Sequence, residues 1–560
     1  MPIAPFDFII VGGGTAGCVL ANRLSADGRH RVLMLEAGAR DRSPWIHLPI
    51  GYGKTMFHKT INWGFFTEAE PTMKDRRIYW PRGRTLGGSS SINGLIFVRG
   101  QSDDYDQWAA LGNAGWAWKD VLPYFIRSEH NTKGAGPAHG GDGPLWCSDI
   151  EHKHELIEAI IAGAGELGVR RTDDFNGGDQ EGVGYYQLFT RKGWRCSTAV
   201  AYLRPAEERP NLRVETDAQA TSLILEGGRA VGVRYRRNGR MHEALASREV
   251  ILAAGALQSP QLLMLSGIGP GAELRRHGVA VAHDLPGVGA NLQDHLQIRL
   301  MYRVAKPITT NDDLNSLTGK VRIGLQWLLT RSGPLAVGIN QGGLFTRVMP
   351  GPGTADVQFH FATLSADMAG AQPHPWPGCT FSVCQLRPES RGTVTLRNAD
   401  PFEAPVMRAN YLATETDRRC TVEGMKFARR LAATTPLRDL LTDEVKPGRG
   451  IEGDEALLDF ARGSGATIFH PSGTCKMGSD PMAVTDARLR VHGVGGLRVV
   501  DCSIMPTLVS GNTSAPVVMI AEKASDMILA DAEAGTTPVG IATRGPVAPA
   551  RARPEAVAVP

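Results

Sequence analysis

The 560 residues are enough for two or three lobes, and a composition that is 42% apolar and 21% charged is typical of a globular enzyme. The 61 basic and 57 acidic residues are spread along the chain without a basic tract rich in aromatic residues, which argues against nucleic-acid binding. Neither a signal peptide nor a run of 18 apolar residues is present, and the eight cysteines form no disulfide or zinc pattern. We therefore expect a cytoplasmic protein without a membrane span.

Residues 6–36 have the pattern of a βαβ unit. The apolar run 8–11 predicts a strand buried on both faces, and the run 32–35 predicts a second such strand. Between them, apolar residues recur at helical spacing from Thr15 onward. The sequence thus predicts the first half of an open α/β sheet.

A glycine-rich turn joins the first strand to the helix. Gly12, Gly14 and Gly17 fit the pattern G-x-G-x-x-G, in which they permit the tight turn, the approach to a pyrophosphate and close helix–strand packing. Thr15–Ala16 opens the helix, whose free N–H groups favour a phosphate. Glu36 ends the second strand, where a carboxylate can accept hydrogen bonds from ribose hydroxyls. This turn predicts a dinucleotide site but does not separate FAD from NAD.

Further elements are predicted along the chain. Residues 211–257 contain a hairpin signal around Gly227–Gly228 and end in a buried strand that runs into a helix. Residues 300–460 mix strands, helices and Pro- and Gly-rich joints, which suggests a second lobe. Residues 497–501 predict a last strand of the first sheet, and 516–530 predict a closing helix with Pro516 in its first turn.

Several stretches in a fixed order identify a family. The chain resembles the glucose–methanol–choline (GMC) oxidoreductases from Phe6 to about Ala530, and in particular bacterial alcohol and choline dehydrogenases and aryl-alcohol oxidases. The stretches are Gly12 to Gly17, Gly83 to Asn93, Gly255 to Gly269, Leu285 to His295, His470 to Thr474 and Asp501 to Pro516.

The resemblance implies an α/β fold with a Rossmann-like FAD-binding domain and a mixed-sheet substrate-binding domain. We expect the FAD-binding domain in residues 1–300, the substrate-binding domain in 301–465, a return to the FAD domain in 466–532 and a disordered tail in 533–560. The cofactor implied is FAD. Relatives similar to choline oxidase attach FAD through a histidine directly before Asn93; here Ile92 stands there, so we expect FAD to be bound without a covalent link.

The resemblance also implies the residues of the site. Asp501 has a simpler interpretation as a turn former, and Asn512 with Thr513 has one as a helix cap. The positions expected to bind the cofactor are Gly12, Gly14, Thr15, Ala16, Gly17, Glu36, Arg84, Gly87, Gly88, Ser91, Asn93, Ala220, Asp501, Asn512 and Thr513.

His470 and Asn512 match the catalytic pair of the family. A neutral histidine suits proton abstraction at pH 7, whereas an amide has no basic lone pair. The resemblance therefore implies that His470 removes the hydroxyl proton of a primary alcohol while hydride moves to flavin N5, and that Asn512 orients the alcohol oxygen. A purely structural histidine is the alternative. His360, in an alternating apolar run, is either a strand residue or a substrate contact.

The substrate and the electron acceptor are left open. Choline is disfavoured, because the stretch from Ile339 to Gly343 lacks the acid that choline-specific relatives carry. A choline dehydrogenase nevertheless stays a candidate, as do a lyase or a light-driven fatty-acid decarboxylase of the same family, and a NAD-dependent dehydrogenase. The acceptor is expected to be oxygen or a quinone-type carrier.

Overall fold

Two seven-stranded sheets organise the chain, and each has its own apolar core. They appear in a computed structural model that describes residues 5–351, 353–368 and 370–535. The tail expected to be disordered lies outside these residues except for 533–535, of which Glu533 ends the last helix. None of the helices in these ranges has the length and apolar character that crossing a bilayer requires.

The first sheet is built around the predicted βαβ unit. Its buried apolar strands pair in parallel, as expected of strands covered on both faces. The strand Arg240–Leu252 also extends beyond the parallel region into an antiparallel hairpin system. The parallel order is Leu212–Glu215, Val32–Leu35, Phe6–Val11, Arg240–Leu252, Leu497–Val499, and the antiparallel strands are Arg229–Arg237 and Ala218–Glu226.

Three helices on the first sheet begin beside the ends of its strands, and their first residues line the cavity described below. Thr15–Leu24 and Ser514–Glu533 pack against each other, and Gly255–Leu265 follows the strand that ends at Leu252. Pro516 lies in the first turn of its helix, where the missing N–H has no intrahelical partner to lose. The predicted strand, turn, helix and closing helix are confirmed.

The second sheet carries the second lobe. Its strand pairings, expected to be mixed, are all antiparallel among the described strands, because hairpins and long returns connect them without parallel crossovers. Helices Glu155–Glu166, Glu415–Ala432 and Asp454–Ser464 pack with it. The strands, in order, are Leu441–Lys446, Leu296–Val304, Gly378–Gln385, Val357–Ala362, Asn340–Thr346 and Gly182–Tyr185, with Ala466–Thr467 paired to Leu296–Val304.

The domain boundaries stay a prediction, and the chain crosses between the lobes more often than they imply. Gly182–Tyr185 comes from the first predicted segment, and Ala466–Thr467 from the last, yet both pair within the second sheet.

The remaining helices are Pro44–His47, Tyr52–Thr55, Ser102–Ala110, Trp118–Ser128, Gly271–Arg276, Thr310–Asn315, Leu317–Thr330 and Thr435–Arg438. The remaining strands pair as Phe65–Phe66 with Tyr79–Trp80, Ile96–Phe97 with Gln187–Leu188, Glu129–Asn131 with Leu145–Cys147, Thr190–Arg191 with Trp194–Arg195, Ile268–Gly269 with His283–Asp284, and Thr393–Thr395 with Val406–Arg408.

Candidate active site

One cavity of about 320 Å³ is bordered by residues of both sheets. We call the part around Gly12, Gly14 and Glu36 the glycine end, and the part around His360 and His470 the histidine end. Most of the predicted site residues line this cavity. They are Gly12, Gly14, Thr15, Ala16, Glu36, Gly88, Asn93, Ala220, His470, Asp501, Asn512 and Thr513.

The glycine turn is shaped by close backbone contacts. Gly12 has a φ of +107°, and a Cβ there would lie 2.5 Å from the Ala253 carbonyl oxygen. A Cβ on Gly17 would lie 1.9 Å from the Gly12 carbonyl oxygen, so the helix can approach the strand only with glycine at this position. Gly14 has no such neighbour within 3.8 Å and borders the cavity instead. The open space at Gly14 is what a pyrophosphate would need.

Glu36 closes the same end with its carboxylate. Its two oxygens accept hydrogen bonds from the N–H groups of Gly13, at 2.8 Å, and Gly38, at 2.7 Å. Burial raises the pKa of Glu36 to about 7, although both hydrogen bonds favour the carboxylate. The side chain is therefore oriented at the wall of the cavity, with lone pairs left for ribose hydroxyls.

The segment that begins at Gly83 lies directly on the glycine turn. The Gly87 N–H donates to the Gly13 carbonyl at 2.8 Å, and a Cβ on Gly88, whose φ is +51°, would lie 2.7 Å from Gly14 Cα. Two segments separated by more than 70 residues thus meet through glycine backbones, and together they form one wall for a flat or phosphorylated ligand.

Four predicted cofactor residues do not border the cavity. Gly17 and Gly87 shape its backbone from behind, and the Ser91 hydroxyl donates to the Leu86 carbonyl at 2.7 Å. The Arg84 guanidinium lies over the Trp63 ring, 4.6 Å from its centroid. Ser90, which the sequence analysis did not single out, borders the cavity instead.

Asp501 borders the cavity, but its hydrogen bonds hold the protein. One carboxylate oxygen accepts from the Gly255 N–H at 2.8 Å and the Ser259 hydroxyl at 2.6 Å, and the other accepts from the Ser503 N–H at 2.8 Å. These bonds fix the start of the helix Gly255–Leu265 against the last strand. They support the simpler interpretation as a turn and cap residue.

The N-terminus of the helix Ser514–Glu533 also faces the cavity. Asn512, Thr513 and Ser514 line it, and the Asn93 amide nitrogen lies 3.5 Å from the Ser514 hydroxyl oxygen. The first N–H groups of a helix are unpaired within it, and its dipole favours negative charge nearby.

His470 lies at the centre of the histidine end, and its side chain is 7% exposed. Its backbone N–H donates to the Asp294 carboxylate at 2.8 Å, which positions the residue. Its Nδ1 lies 3.0 Å from Nδ1 of His295, whose Nε2 lies 2.8 Å from the Leu386 carbonyl oxygen. Its Nε2 lies 3.3 Å from the Asn512 amide nitrogen.

The orientation of Asn512 is fixed from the opposite side. Its Oδ1 accepts from the Gln358 amide at 3.0 Å, and Gln358 also donates to the Tyr186 hydroxyl at 2.9 Å. Tyr186 in turn donates to the Phe359 carbonyl at 2.8 Å. The Asn512 amide nitrogen is therefore the atom that faces His470.

Burial keeps the imidazoles of this end neutral at pH 7. It lowers the pKa of His295 to about 4 and that of His360 to about 3, and it holds the pKa of His470 well below its usual range. The neighbouring histidines and Arg82 lower the pKa of His470 further. A neutral imidazole is the form that can accept a proton.

Two residues at this end have buried polar atoms without partners. Within the described part of the chain, both ring nitrogens of His360 and the side-chain oxygen of Gln358 lack a hydrogen bond of good geometry, although burial without a partner is costly. His360 also lines the cavity. Such atoms are suited to a ligand hydroxyl or an ordered water.

Three residues at or near the cavity were not singled out as site residues in the sequence: His295, Gln358 and Arg299. A usable signal was present, because Gln358 and His360, like Gln297 and Arg299, are polar residues two positions apart in otherwise apolar strands. Polar residues at i and i+2 mark one face of a strand as facing something other than a core.

A dinucleotide-type turn joined through one cavity to a neutral histidine cluster defines an oxidoreductase with a dinucleotide cofactor. The chain matches the model of the GMC oxidoreductase N-terminal domain over residues 6–297 and that of the C-terminal domain over 388–521. It belongs to the GMC oxidoreductases, its cofactor is FAD, and it acts on CH–OH groups.

Named relatives are similar over nearly their whole length. Mitochondrial choline dehydrogenase of Mus musculus is 43% identical over 532 residues, which cover 93% of this chain and 89% of the relative. Alcohol dehydrogenase (acceptor) of Pseudomonas putida is 41% identical over 529 residues, covering 94% and 96%. A structure of formate oxidase from Aspergillus oryzae RIB40 superimposes with a TM-score of 0.89 at 27% identity, covering 95% of this chain and 100% of the other.

The described residues fit FAD. The space at Gly14, the carboxylate of Glu36 and the helix start at Thr513 line one continuous cavity that runs from the glycine end to the histidine end. This arrangement offers a place for ribose hydroxyls, phosphates and a ring system in the order in which FAD carries them.

Proposed function

We propose that the protein oxidises a primary alcohol to an aldehyde, with His470 as the general base and Asn512 as the residue that orients the alcohol oxygen. FAD, when bound, supplies the hydride acceptor. The observation that carries the proposal is the chain of hydrogen bonds through His470, because it fixes which ring nitrogen is free of a proton.

The Leu386 carbonyl at one end of this series of hydrogen bonds decides which atom donates in each of them. The Leu386 carbonyl can only accept, so the His295 proton is on Nε2 and its Nδ1 is an acceptor. His470 must then donate from Nδ1, which leaves a lone pair on its Nε2. That nitrogen faces Asn512 and the cavity, where it can take a proton from a hydroxyl.

The other residues of this end would position the alcohol. Asn512 donates toward the place that the alcohol oxygen would occupy beside His470, and Gln358 holds this amide in orientation. His360, neutral and close enough to Asn512 for that amide to act on its pKa, is a further group that could contact the hydroxyl. Burial excludes bulk water from the proton transfer.

We propose that FAD is held without a covalent bond. Ile92, which lines the cavity, has no nucleophilic atom where some relatives carry the attached histidine. The predicted backbone groups at Gly14 and Gly88, the Glu36 carboxylate and the helix start at Thr513 would hold FAD instead. Precipitation with acid should release the yellow cofactor into the supernatant.

Choline dehydrogenase is the second candidate, favoured by similarity to enzymes of that name. The charges of the cavity favour a primary alcohol other than choline. Of the described residues that line it, Glu36 and Asp501 are the carboxylates, and the oxygens of both already accept hydrogen bonds from the protein. Oxygen or a quinone-type carrier stays the predicted electron acceptor, and residence in the cytoplasm stays a prediction.

The test is the variant His470→Ala. We expect its FAD content to be unchanged and anaerobic FAD reduction by benzyl alcohol to slow by about 10²- to 10⁴-fold, the usual contribution of a general base. His277→Ala is the matched control, since that imidazole pairs with Glu273 away from the cavity and should leave reduction unchanged. Unchanged reduction in His470→Ala would refute the assignment.

A further inference from the structure

Arg299 faces the cavity from the second sheet. It lies on Leu296–Val304, directly opposite Ser382, which is directly opposite His360 on the next strand. Opposed residues of antiparallel strands project from the same face, and all three line the cavity. With strands about 4.8 Å apart, the backbones of Arg299 and His360 are separated by roughly 10 Å.

The Arg299 guanidinium has no partner. Within the described ranges no oxygen accepts a hydrogen bond from it, and its Nε is buried without one. Burial lowers the pKa of the guanidinium, and the interaction with Tyr52 opposes this effect. Arg299 is half-buried at the wall of the cavity, and no acid among the described residues pairs with it, so the arrangement points to an anion that comes from outside the chain.

Two of the fully buried arginines pair with carboxylates, whereas a third, Arg195, donates to the Ile46 and Ser90 carbonyls and to the Asn93 side-chain oxygen. Arg99 pairs with Glu129, and Arg498 pairs with Glu249 at 2.6 Å and with Asp531 at 2.6 Å. Each is fully buried, and each has a carboxylate. Arg299 differs from all three because it lines the cavity and has no hydrogen-bond acceptor among the described residues.

The charged residues that line the cavity also favour an anionic ligand. Arg82 and Arg299 are the described cations that line it, and Arg82 donates to the Pro81 and Phe469 carbonyls at 2.6 Å each. Two of its N–H groups are thus used within the protein, whereas no described residue accepts a hydrogen bond from the Arg299 guanidinium. A cationic ligand such as choline would meet two like charges at this end.

We propose that Arg299 is the binding site for a carboxylate on the alcohol substrate, so that the substrate class is a hydroxy acid whose hydroxyl and carboxylate lie at opposite ends. A guanidinium presents paired N–H groups that match a carboxylate. The carboxylate takes no part in the oxidation; it fixes the distance between Arg299 and the hydroxyl beside His360 and His470. This inference rests on the proposed alcohol oxidation.

The experiment compares 4-(hydroxymethyl)benzoate with benzyl alcohol in the FAD-loaded enzyme. We expect a preference for the carboxylate of at least about tenfold in kcat/KM, mainly through KM, as for a binding contact remote from the reacting atoms. Arg299→Met should abolish this preference and leave kcat for benzyl alcohol within a few-fold. Arg299→Lys keeps the positive charge but not the paired N–H groups of the guanidinium, so it should retain part of the preference for the carboxylate.

Arg303→Met is the matched control. Arg303 is on the same strand, is exposed, and lies over the Trp376 ring instead of lining the cavity. This variant should leave kcat/KM unchanged for both 4-(hydroxymethyl)benzoate and benzyl alcohol. Equal losses for both substrates in Arg299→Met, or no preference in the wild type, would overturn the inference.

Binding without turnover separates this inference from the proposed function. Benzoate should perturb the FAD absorbance of the wild type, and its affinity should fall at least about tenfold in Arg299→Met but not in Arg303→Met. If no alcohol reduces FAD while this difference is observed, the proposed function fails and the anion site stands. If benzoate affinity is the same in all three proteins, the anion site is refuted.

Discussion

The two ends of the cavity are built in opposite ways. At the glycine end, backbone groups around Gly12, Gly88 and Ala253 meet at distances that leave no room for a Cβ, and the carboxylate of Glu36 is held by the N–H groups of Gly13 and Gly38. At the histidine end, side chains from distant segments form one chain of hydrogen bonds, and neither ring nitrogen of His360 has a hydrogen bond of good geometry among the described residues.

This difference matches two separate tasks: the glycine end is suited to binding the cofactor, and the histidine end is suited to reaction of the substrate. Backbone contacts at the glycine end are dense and saturated, which suits a cofactor that stays bound. The histidine end leaves specific polar atoms free, which suits a substrate that must enter, react and leave. The unpaired atoms are tolerated because the surrounding sheet and loops hold them in place.

Among the variants that test this difference between the two ends, the largest effect should come from breaking the backbone contact at the glycine end. Gly88→Ala adds a Cβ 2.7 Å from Gly14 Cα at a φ of +51°. We expect FAD affinity to fall at least about thirtyfold, which corresponds to about 2 kcal/mol of strain and displacement. Titration of the cofactor-free protein with FAD measures this.

Gly28→Ala is the control for that change. Gly28 has a φ of +74° but no atom within 4 Å of an added Cβ. It carries the conformational strain without the overlap, so it should lower stability slightly and leave FAD affinity unchanged. A similar loss of FAD in both variants would show that backbone strain, and not the contact with Gly14, decides the cofactor site.

A smaller effect should come from removing the proton acceptor behind His470. His295→Leu leaves the buried N–H at His470 Nδ1 without a partner, at a cost of about 2 kcal/mol. We expect anaerobic FAD reduction by alcohol to slow roughly thirtyfold while FAD content is retained.

His295→Asn distinguishes positioning from packing. Its side-chain oxygen can take the place of Nδ1 and accept from His470, so we expect the rate to recover to within a few-fold of the wild type. If His295→Asn and His295→Leu are equally slow, the hydrogen bond to His470 does not set the protonation of the base.

The smallest effect concerns pH at the glycine end. Burial raises the pKa of Glu36 to about 7 in the cofactor-free protein. Because FAD requires the carboxylate to accept from its ribose, affinity should be full above pH 7 and fall by up to about tenfold per unit as pH drops below it. Equilibrium titrations across pH 5.5–8.5 measure this, and Glu36→Gln should give weaker binding that does not change with pH.

The catalytic rate should not follow this pH dependence. Because the pKa of His470 lies well below its usual range, the base stays unprotonated through the interval in which Glu36 titrates. FAD reduction in the loaded enzyme should therefore keep its rate below pH 6.5. A rate that falls in parallel with FAD affinity would mean that one group controls both ends.

The sequence alone determined the glycine end and the overall plan. The strand, turn and helix over residues 6–36 are local, since each depends on apolar spacing and on glycines within one short segment, and the structure has them where they were predicted. The family pattern also placed His470 and Asn512 in one site. Local periodicity carries this information because hydrogen bonds and sterics act between near neighbours.

Only the tertiary structure decided the histidine end. Nothing local brings His295 within 3.0 Å of His470, or Arg299 into line with Ser382 and His360, since strand order and register are set by packing of the whole second sheet. That packing also made Ser91 and Arg84 supports of the wall and left Ser90 to border the cavity. The protonation state of the base and the charge of its surroundings therefore belong to the fold, and not to any motif.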